Sequence, residues 1–447
     1  MVTLATWARS KVTHLPRASR MVLGTVCGAF IFICLYTTRE MREISLELTE
    51  QHIIEEQSGV YRVLKGAIPS VNLVVAATSK EDYGWTKELR IPSMTVVPYI
   101  ADDLNATHHA QQNKGHEAMM YHQYFYDFYD NLPDISILIH SQQRSWHVDG
   151  MLDQSMVFSL NHLDLREVQR RHFLNLRVTW GIGCSNGQIN TTRVNEESGA
   201  APEQKEMQEA FRANFNIYDV PEILATPCCS QIAVTKAAIR RVPREQYLKH
   251  IEWLLATQLK DSISGRTWEH MWQYLFLGKA IDCPLEHRAY CRLYHICFGG
   301  REEYDEWVEL NQGRGKLESE LDKLKKEMEK LKKDEKDKAE PEKDKDGKPE
   351  KDEKDKAEPE KTDEEQKKLS ATQEKTNKKA QEWLETELKS VQEAIRVRRE
   401  VAVVRGAVEA NRIAEAEPLY GDEDELGVEA KIFPQKVKAQ ATTTRSP

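Results

Sequence analysis

Apolar and polar positions fall into blocks along the chain, and the blocks predict three regions. Residues 21–38 (MVLGTVCGAFIFICLYTT) carry no charge. Eighteen residues at a rise of about 1.5 Å cover roughly 27 Å, close to the hydrocarbon thickness of a bilayer. Residues 71–77 (VNLVVAA) are short, partly β-branched and flanked by polar residues, which predicts a buried strand. Thr78, Ser79, Lys80, Glu81 and Asp82 close it. A helix over 83–89 and a second strand over 94–99 follow, then a polar loop over 101–112. Asn113-Lys114-Gly115 opens an aromatic-rich helix that stops near Asn131-Leu132-Pro133, and residues 135–139 form a third strand ending in His140. A polar loop with Trp146, His147 and Asp149 comes next. Beyond it the pattern is mostly helical, with a short segment over 174–180 and helices over 203–213, 244–259 and 266–277. Strands alternating with helices predict an α/β domain with a mainly parallel sheet flanked by helices. In such sheets ligands sit beyond the carboxyl ends of the strands, where this chain places its polar residues.

From residue 310 the pattern changes. Leu317, Leu321, Leu324, Met328 and Leu331 step by four and three between charged flanks, as in a short coiled coil. KDEKDKAEPEK occurs at 333–343 and again at 351–361, a polar, Pro-containing repeat of the kind that stays disordered. Leu384, Leu388, Val391 and Ile395 resume heptad spacing. The expected layout is a basic tail (1–20), a transmembrane signal anchor (21–38), a stem (39–66), the α/β domain (67–300), a coiled coil (301–332), a disordered charged repeat (333–363), and a helical segment with a polar tail (364–447).

Charge sets orientation and excludes some partners. Arg9, Lys11, Arg17 and Arg20 precede the apolar run without an acid among them, so the positive-inside bias keeps the N-terminus cytosolic and sends the rest across the membrane. A type II protein of the endoplasmic reticulum or Golgi is the leading reading. A cleaved signal peptide and a mitochondrial presequence, leading to the inner membrane, are the alternatives. The net charge of −9 argues against a nucleic-acid partner, for which a basic face is expected. The expected partners are the membrane and other chains joined through the coiled coil. Asn105 and Asn190 head sequons that would accept glycan in a lumen. Cys184, Cys228, Cys229, Cys283, Cys291 and Cys297 are disulfide candidates there. Being adjacent, Cys228 and Cys229 are expected to bond to different partners among the other three downstream cysteines.

Several strings together resemble a fungal family catalogued as domain of unknown function 3431. They are Asn113-Lys114-Gly115 with Glu117-Ala118, Leu132-Pro133-Asp134, His140, and Trp146-His147 with Asp149. Asn175-Leu176-Arg177 with Trp180, Gly183 and Cys184 follow, then Pro227-Cys228-Cys229 with Gln231, Ala233 and Val234. Ser264-Gly265-Arg266, Trp268-Glu269, Met271-Trp272 and Phe276 come last, trailed by Cys283-Pro284, Cys291 and Cys297. The resemblance implies a shared fold and often an N-terminal anchor, and supplies no activity. The order of elements is also similar to the nucleotide-sugar half of GT-A glycosyltransferases. There the third strand ends in Asp-x-Asp, which holds a divalent ion against a diphosphate. Here the matching place reads His140-Ser141-Gln142. That leaves a metal-independent transferase, a His-assisted one, or a fold without the chemistry.

The candidate chemistry follows from these positions. His140, His147, Asp149 and Glu269 are candidate catalytic groups, and His140, His147 and Asp149 are a candidate metal set. The bland alternative makes His140 a strand-end residue and the Trp268–Trp272 stretch a packing helix. Thr78, Lys80, Asn113 and Lys114 are candidates for holding the phosphates of a nucleotide sugar, with or without a divalent metal; the last two stand at a helix start. Glu117 is a candidate carboxylate or an ordinary first-turn acid. Asp102-Asp103 could replace the missing Asp-x-Asp or simply belong to a solvated loop. A sugar-transferring or sugar-binding lumenal domain leads. A non-enzymatic scaffold acting through its tail, and a His-metal enzyme, are the rival classes.

Overall fold

The computed structural model describes residues 68–184, 188–194, 201–339 and 363–416. Residues 1–67, with the expected anchor and stem, lie outside the described residues, as do 340–362 of the charged repeat and the tail from 417. Among the described residues no helix is long and apolar enough to cross a membrane. The chain forms two compact units, one of residues up to Ile296 together with those from Gly406 onward, the other Cys297–Arg405.

The first unit is built on a five-stranded sheet. β1 (Val71–Ala77), β2 (Met94–Ile100) and β3 (Ile135–His140) are parallel, in the order β2-β1-β3. Their registers pair Ala77 with Ile100 and Ala76 with His140, so the three carboxyl ends meet at one rim. β4 (Phe173–Asn175) lies at the far edge. Between β3 and β4 runs β5 (Ile232–Thr235), antiparallel to both. Four of the five strands therefore share a direction. The reversed strand is not among the sequence-predicted elements: four residues are too few to establish a period of two. Every side chain of β5 is buried.

α1 (Glu117–Asp127) packs against β1 and against α2 (Arg244–Ala256). It buries Met119, Tyr121, Tyr124 and Phe125 in a core shared with Tyr247, Trp268, Trp272 and Phe276. The predicted helix over 266–277 is in fact two, α3 (Asp261–Glu269) and α4 (Trp272–Leu277), separated at His270-Met271. The break turns both Trp268 and Trp272 into the core and leaves Glu269 at the end of a helix.

Two disulfides are resolved in this unit by partner. Cys184 bonds Cys283, and Cys228 bonds its own neighbour Cys229. The second corrects the expectation of separate partners. The backbone makes the adjacent pairing possible by placing Cys229 at φ 90° and Ser230 at φ 48°, in a region that non-glycine residues seldom occupy. Cys291 and Cys297 are disulfide-bonded as well. Gly183 sits at φ 99°, where a Cβ would lie 2.0 Å from the Thr226 carbonyl oxygen. Only glycine lets the segment before Cys184 lie against the segment leading to Cys228.

In the second unit, α5 (Arg301–Ala339) and α6 (Asp363–Gly406) run antiparallel. Glu306 pairs with Arg398 at 2.6 Å and Lys325 with Glu385 at 3.2 Å. α5 continues through 339, into the stretch expected to be disordered. Lys, Glu and Ala favour helix, and no proline interrupts before Pro341.

Candidate functional site

Two glycines bring the site together. Gly115, at φ 70°, ends the loop before α1, and Gly265 lies on α3. A Cβ on Gly265 would sit 2.9 Å from the Gly115 carbonyl oxygen, and one on Gly115 would sit 2.7 Å from Leu254 Cδ2. The missing side chains let α1 and α3 approach until the acid in the first turn of α1, Glu117, and the last residue of α3, Glu269, face one space. β3 brings His140 to the same space.

The loop after β3 supplies the fourth side. Trp85 Nε1 donates to the Ser141 carbonyl at 2.7 Å, fixing the strand end. Asp149 is buried. Its carboxylate accepts from Val178 N (2.7 Å), Thr179 N (3.3 Å) and Thr179 Oγ1 (2.6 Å), and lies 3.4 Å from Arg177 Nε. Asp149 is thus occupied in tying the loop to residues 177–179. Arg177 donates onward to the Trp146 carbonyl at 2.8 Å. This framework holds His147 beside His140, with the two Nδ1 atoms 3.2 Å apart, and leaves Trp146 56% exposed with its ring 4.2 Å from that of His147.

The result is a cavity of about 340 Å3 at the carboxyl end of β3. Glu117, His140, Trp146, His147 and Glu269 line it, with Ile182, Glu203, His270, Arg266 and both sulfurs' residues, Cys228 and Cys229, completing the wall. Of the sequence candidates, His140, His147, Glu269 and Glu117 come together. Thr78, Lys80, Asn113, Lys114 and Asp149 do not line this cavity. Thr78 donates from N and Oγ1 to Glu81, and Ser79 does the same to Asp102. Lys80 and Asn113 are exposed. Lys114 Nζ donates to the Thr257 carbonyl at 2.5 Å. Asp103 accepts from Asn105 N. Asn105 is exposed, and Asn190 is half-buried with its Oδ1 bonded to Thr192.

The electrostatics single out the cavity. Burial pushes the Glu269 carboxyl up to about 7, and Glu117 nearby pushes the same way. Among the described residues its hydrogen-bond donor is Cys229 N–H at 3.0 Å. Burial, with His140 and Arg177 close by, holds His147 down at about 4, so its ring is neutral at physiological pH. His140 Nε2 is buried without a hydrogen-bond partner among the described residues and lies 3.9 Å from Glu117. Burial pushes Glu203 up, but His270 at 2.7 Å and Arg266 more than offset this and hold it below the ordinary range. The site therefore combines a carboxyl protonated near neutrality, an ionised carboxylate and a neutral imidazole, the set that acid–base chemistry uses.

Two Nδ1 atoms at 3.2 Å would suit adjacent positions on one metal ion. The third donor named from sequence, Asp149, is bound up in the 177–179 turn, so His140, His147 and Asp149 do not make a complete set. Glu203, His270, Arg266 and the cystine wall were not among the sequence-derived site residues. Glu203 lies 66 positions before Glu269, a separation that no local spacing rule spans.

Neither a curated protein nor a solved structure matches the chain. The family model described as "Protein of unknown function (DUF3431)" matches residues 73–292, a span that contains every cavity residue named above. Residues 73–292 are thus a domain of this family.

Proposed function

We propose that the domain binds a neutral sugar in the Glu117–Glu269 cavity and performs acid–base chemistry on it, on a chain anchored in a secretory-pathway membrane. The observation that carries the reading is the meeting of Glu269, Glu117, His140 and His147 beneath the exposed Trp146. A sugar offers an apolar C–H face, which stacks on an indole, and a rim of hydroxyls, which donate to carboxylates and imidazoles. Glu269, protonated near neutrality, donates a proton to the oxygen of a departing group, while the neutral His147 imidazole or Glu117 accepts one from an attacking hydroxyl. The cavity wall carries three carboxylates and one guanidinium, Arg266, a balance that favours a neutral ligand over a diphosphate. A glycosyl donor with its phosphates at Thr78, Lys80, Asn113 and Lys114 has less support, because Thr78 and Lys114 already have partners. Anchoring draws support from the uncharged run at 21–38 and from disulfides, which persist in oxidising compartments.

Thermal shift and calorimetry with a panel of neutral mono- and disaccharides and of nucleotide sugars, with and without Mn, test the reading. Stabilisation by a neutral saccharide, weakened in W146A and E269Q, is the expected result. Stabilisation by nucleotide sugars alone would replace this reading with the donor-binding one, and no response to either panel at millimolar ligand would end both. Loss of mobility shift on endoglycosidase treatment in N105Q/N190Q tests the orientation; unmodified sequons in the native host count against it.

A further inference from the structure

The cystine Cys228–Cys229 forms part of the cavity wall, yet the acid–base reading gives it no task. Most disulfides join segments distant in sequence and stabilise by restricting the unfolded chain. A bond between neighbours closes no long loop, so this contribution is close to absent. What the bond does restrict is the local backbone: Cys229 stands at φ 90° and Ser230 at φ 48°, in the left-handed region that side chains disfavour.

Three contacts leave that short segment. Cys229 N–H donates to Glu269 Oε2 at 3.0 Å. Cys229 Sγ lies 3.7 Å from Arg177 Nη1, the same nitrogen that donates to the Trp146 carbonyl. Ser230 Oγ accepts from the buried Trp272 Nε1 at 3.1 Å. The cystine thus touches both the carboxyl on one side of the cavity and the support of the indole on the other. The second disulfide, Cys184–Cys283, sits in a separate buried cluster with Ala225 and does not line the cavity.

We propose that Cys228–Cys229 is a reducible site within the cavity, exchanged by a small dithiol, and that opening it releases Cys229 N–H from Glu269. One thiolate of the dithiol attacks a cystine sulfur. The S–S bond breaks, and a mixed disulfide forms. The second thiol of the reductant then displaces the remaining cysteine. The dithiol leaves as its cyclic disulfide, and the pair has gained two electrons and two protons. With the ring open, Cys229 is no longer held at positive φ, and its peptide rotates toward the allowed region. Glu269 then loses that amide donor while Glu117, Glu203 and His270 still face it. An amide N–H favours the ionised carboxylate, so the reduced chain keeps Glu269 protonated to higher pH. The two redox states therefore present the cavity with acids of different strength. The inference rests on the cavity's geometry and does not require the ligand to be a sugar.

The test uses the purified full chain treated with graded dithiothreitol without denaturant. Alkylation and peptide mapping are expected to find Cys228 and Cys229 reduced first, with Cys184–Cys283 intact. Reduction of the pair only together with Cys184–Cys283, or only on unfolding, overturns the proposal. The carboxyl titration of Glu269 is then read by NMR on chain labelled with 13C at glutamate side chains, its signal assigned by its loss in E269Q. A rise of at least one pH unit in the midpoint on reduction is expected. The same midpoint in both states overturns the link to Glu269. C228S/C229S, which cannot close the ring, should titrate like the reduced chain, and a midpoint matching the oxidised chain overturns it equally. Because no saccharide is present, failure of these measurements and failure of the sugar reading are distinguishable.

Discussion

The rim where β1, β2 and β3 end has two halves with different chemistry. At β1 and β2, the polar groups answer one another. Thr78 is bonded to Glu81, Ser79 to Asp102, and Asp103 to the backbone of Asn105. At β3, His140 Nε2 has no partner among the described residues, His147 is held neutral, and Glu269 is held protonated near neutrality. Both halves lie at the carboxyl ends of parallel strands, and from sequence both are plausible sites. The difference lies in what packs above them. The first half faces loops that carry their own partners. The second is roofed by α1, α3 and the 141–149 loop, which remove water without supplying enough donors. Polar groups left in that condition cost stability, and are retained where they serve chemistry.

The largest effect is expected from replacing the glycine that lets the segment before Cys184 lie against the one leading to Cys228. Gly183→Ala places a Cβ 2.0 Å from a carbonyl oxygen at positive φ, and should cost about 3 kcal/mol or more, read as a fall in Cm. A wild-type Cm would show that the 182–184 and 226–228 segments are not packed as described.

Glu269→Gln comes next, and separates function from stability. If the cavity turns over a saccharide, the rate should drop by roughly two to four orders of magnitude. Stability should move the other way. The folded-state value of Glu269 is raised, so its contribution is fully present below pH 4.5 and is lost as pH rises through about 7. Above pH 7 the Gln variant should therefore melt a few degrees higher than wild type. A lower Tm at pH 8 would mean that Glu269 is ionised and stabilising.

The buried imidazoles give a third test, away from the rim. Burial holds His122 well below its ordinary value and His250 at about 3. Neither ring nitrogen of His122 has a partner among the described residues, yet His122 is packed among Trp268, Trp272 and His250, outside the cavity. The folded state keeps these rings neutral, whereas the unfolded chain protonates them below about pH 6.5. Stability is complete above that pH and falls as pH drops toward 3. His122→Leu should flatten the Tm–pH curve between 6.5 and 4 without touching ligand binding, and an unchanged slope would rule out His122 as a contributor.

The smallest effect belongs to the self-satisfied half. Ser79→Ala removes one hydrogen bond to Asp102 and should cost about 1 kcal/mol, with ligand affinity unchanged. A tenfold loss of affinity would move the binding site to β1 and β2 and reverse the comparison.

The three parallel strands were readable because Val71 to Ala77, Met94 to Ile100 and Ile135 to His140 are nearly continuous apolar runs between turn residues, and buried strands need such runs. The antiparallel β5 was not readable, since Ile232 to Thr235 is too short to show a period and pairs with residues 57 to 100 positions away. His140 stood out at a strand end, His147 in the polar loop after it, and Glu269 as a carboxylate within the Trp-rich helical stretch. Glu203 and His270 did not, and the neighbouring cysteines were assigned to the wrong partners, because pairing depends on backbone angles that composition does not encode.

The sequence alone determined where the three parallel strands lie, which helix faces are apolar, and that polar residues follow each of those strands, because those features depend on neighbours a few positions apart. The tertiary structure decided which of those polar residues share one space. Whether a carboxyl keeps its proton or an imidazole stays neutral depends on how much water and which charges surround it, and here those surroundings come from α1, α3, β3 and the 226–230 segment, brought together by a glycine–glycine contact.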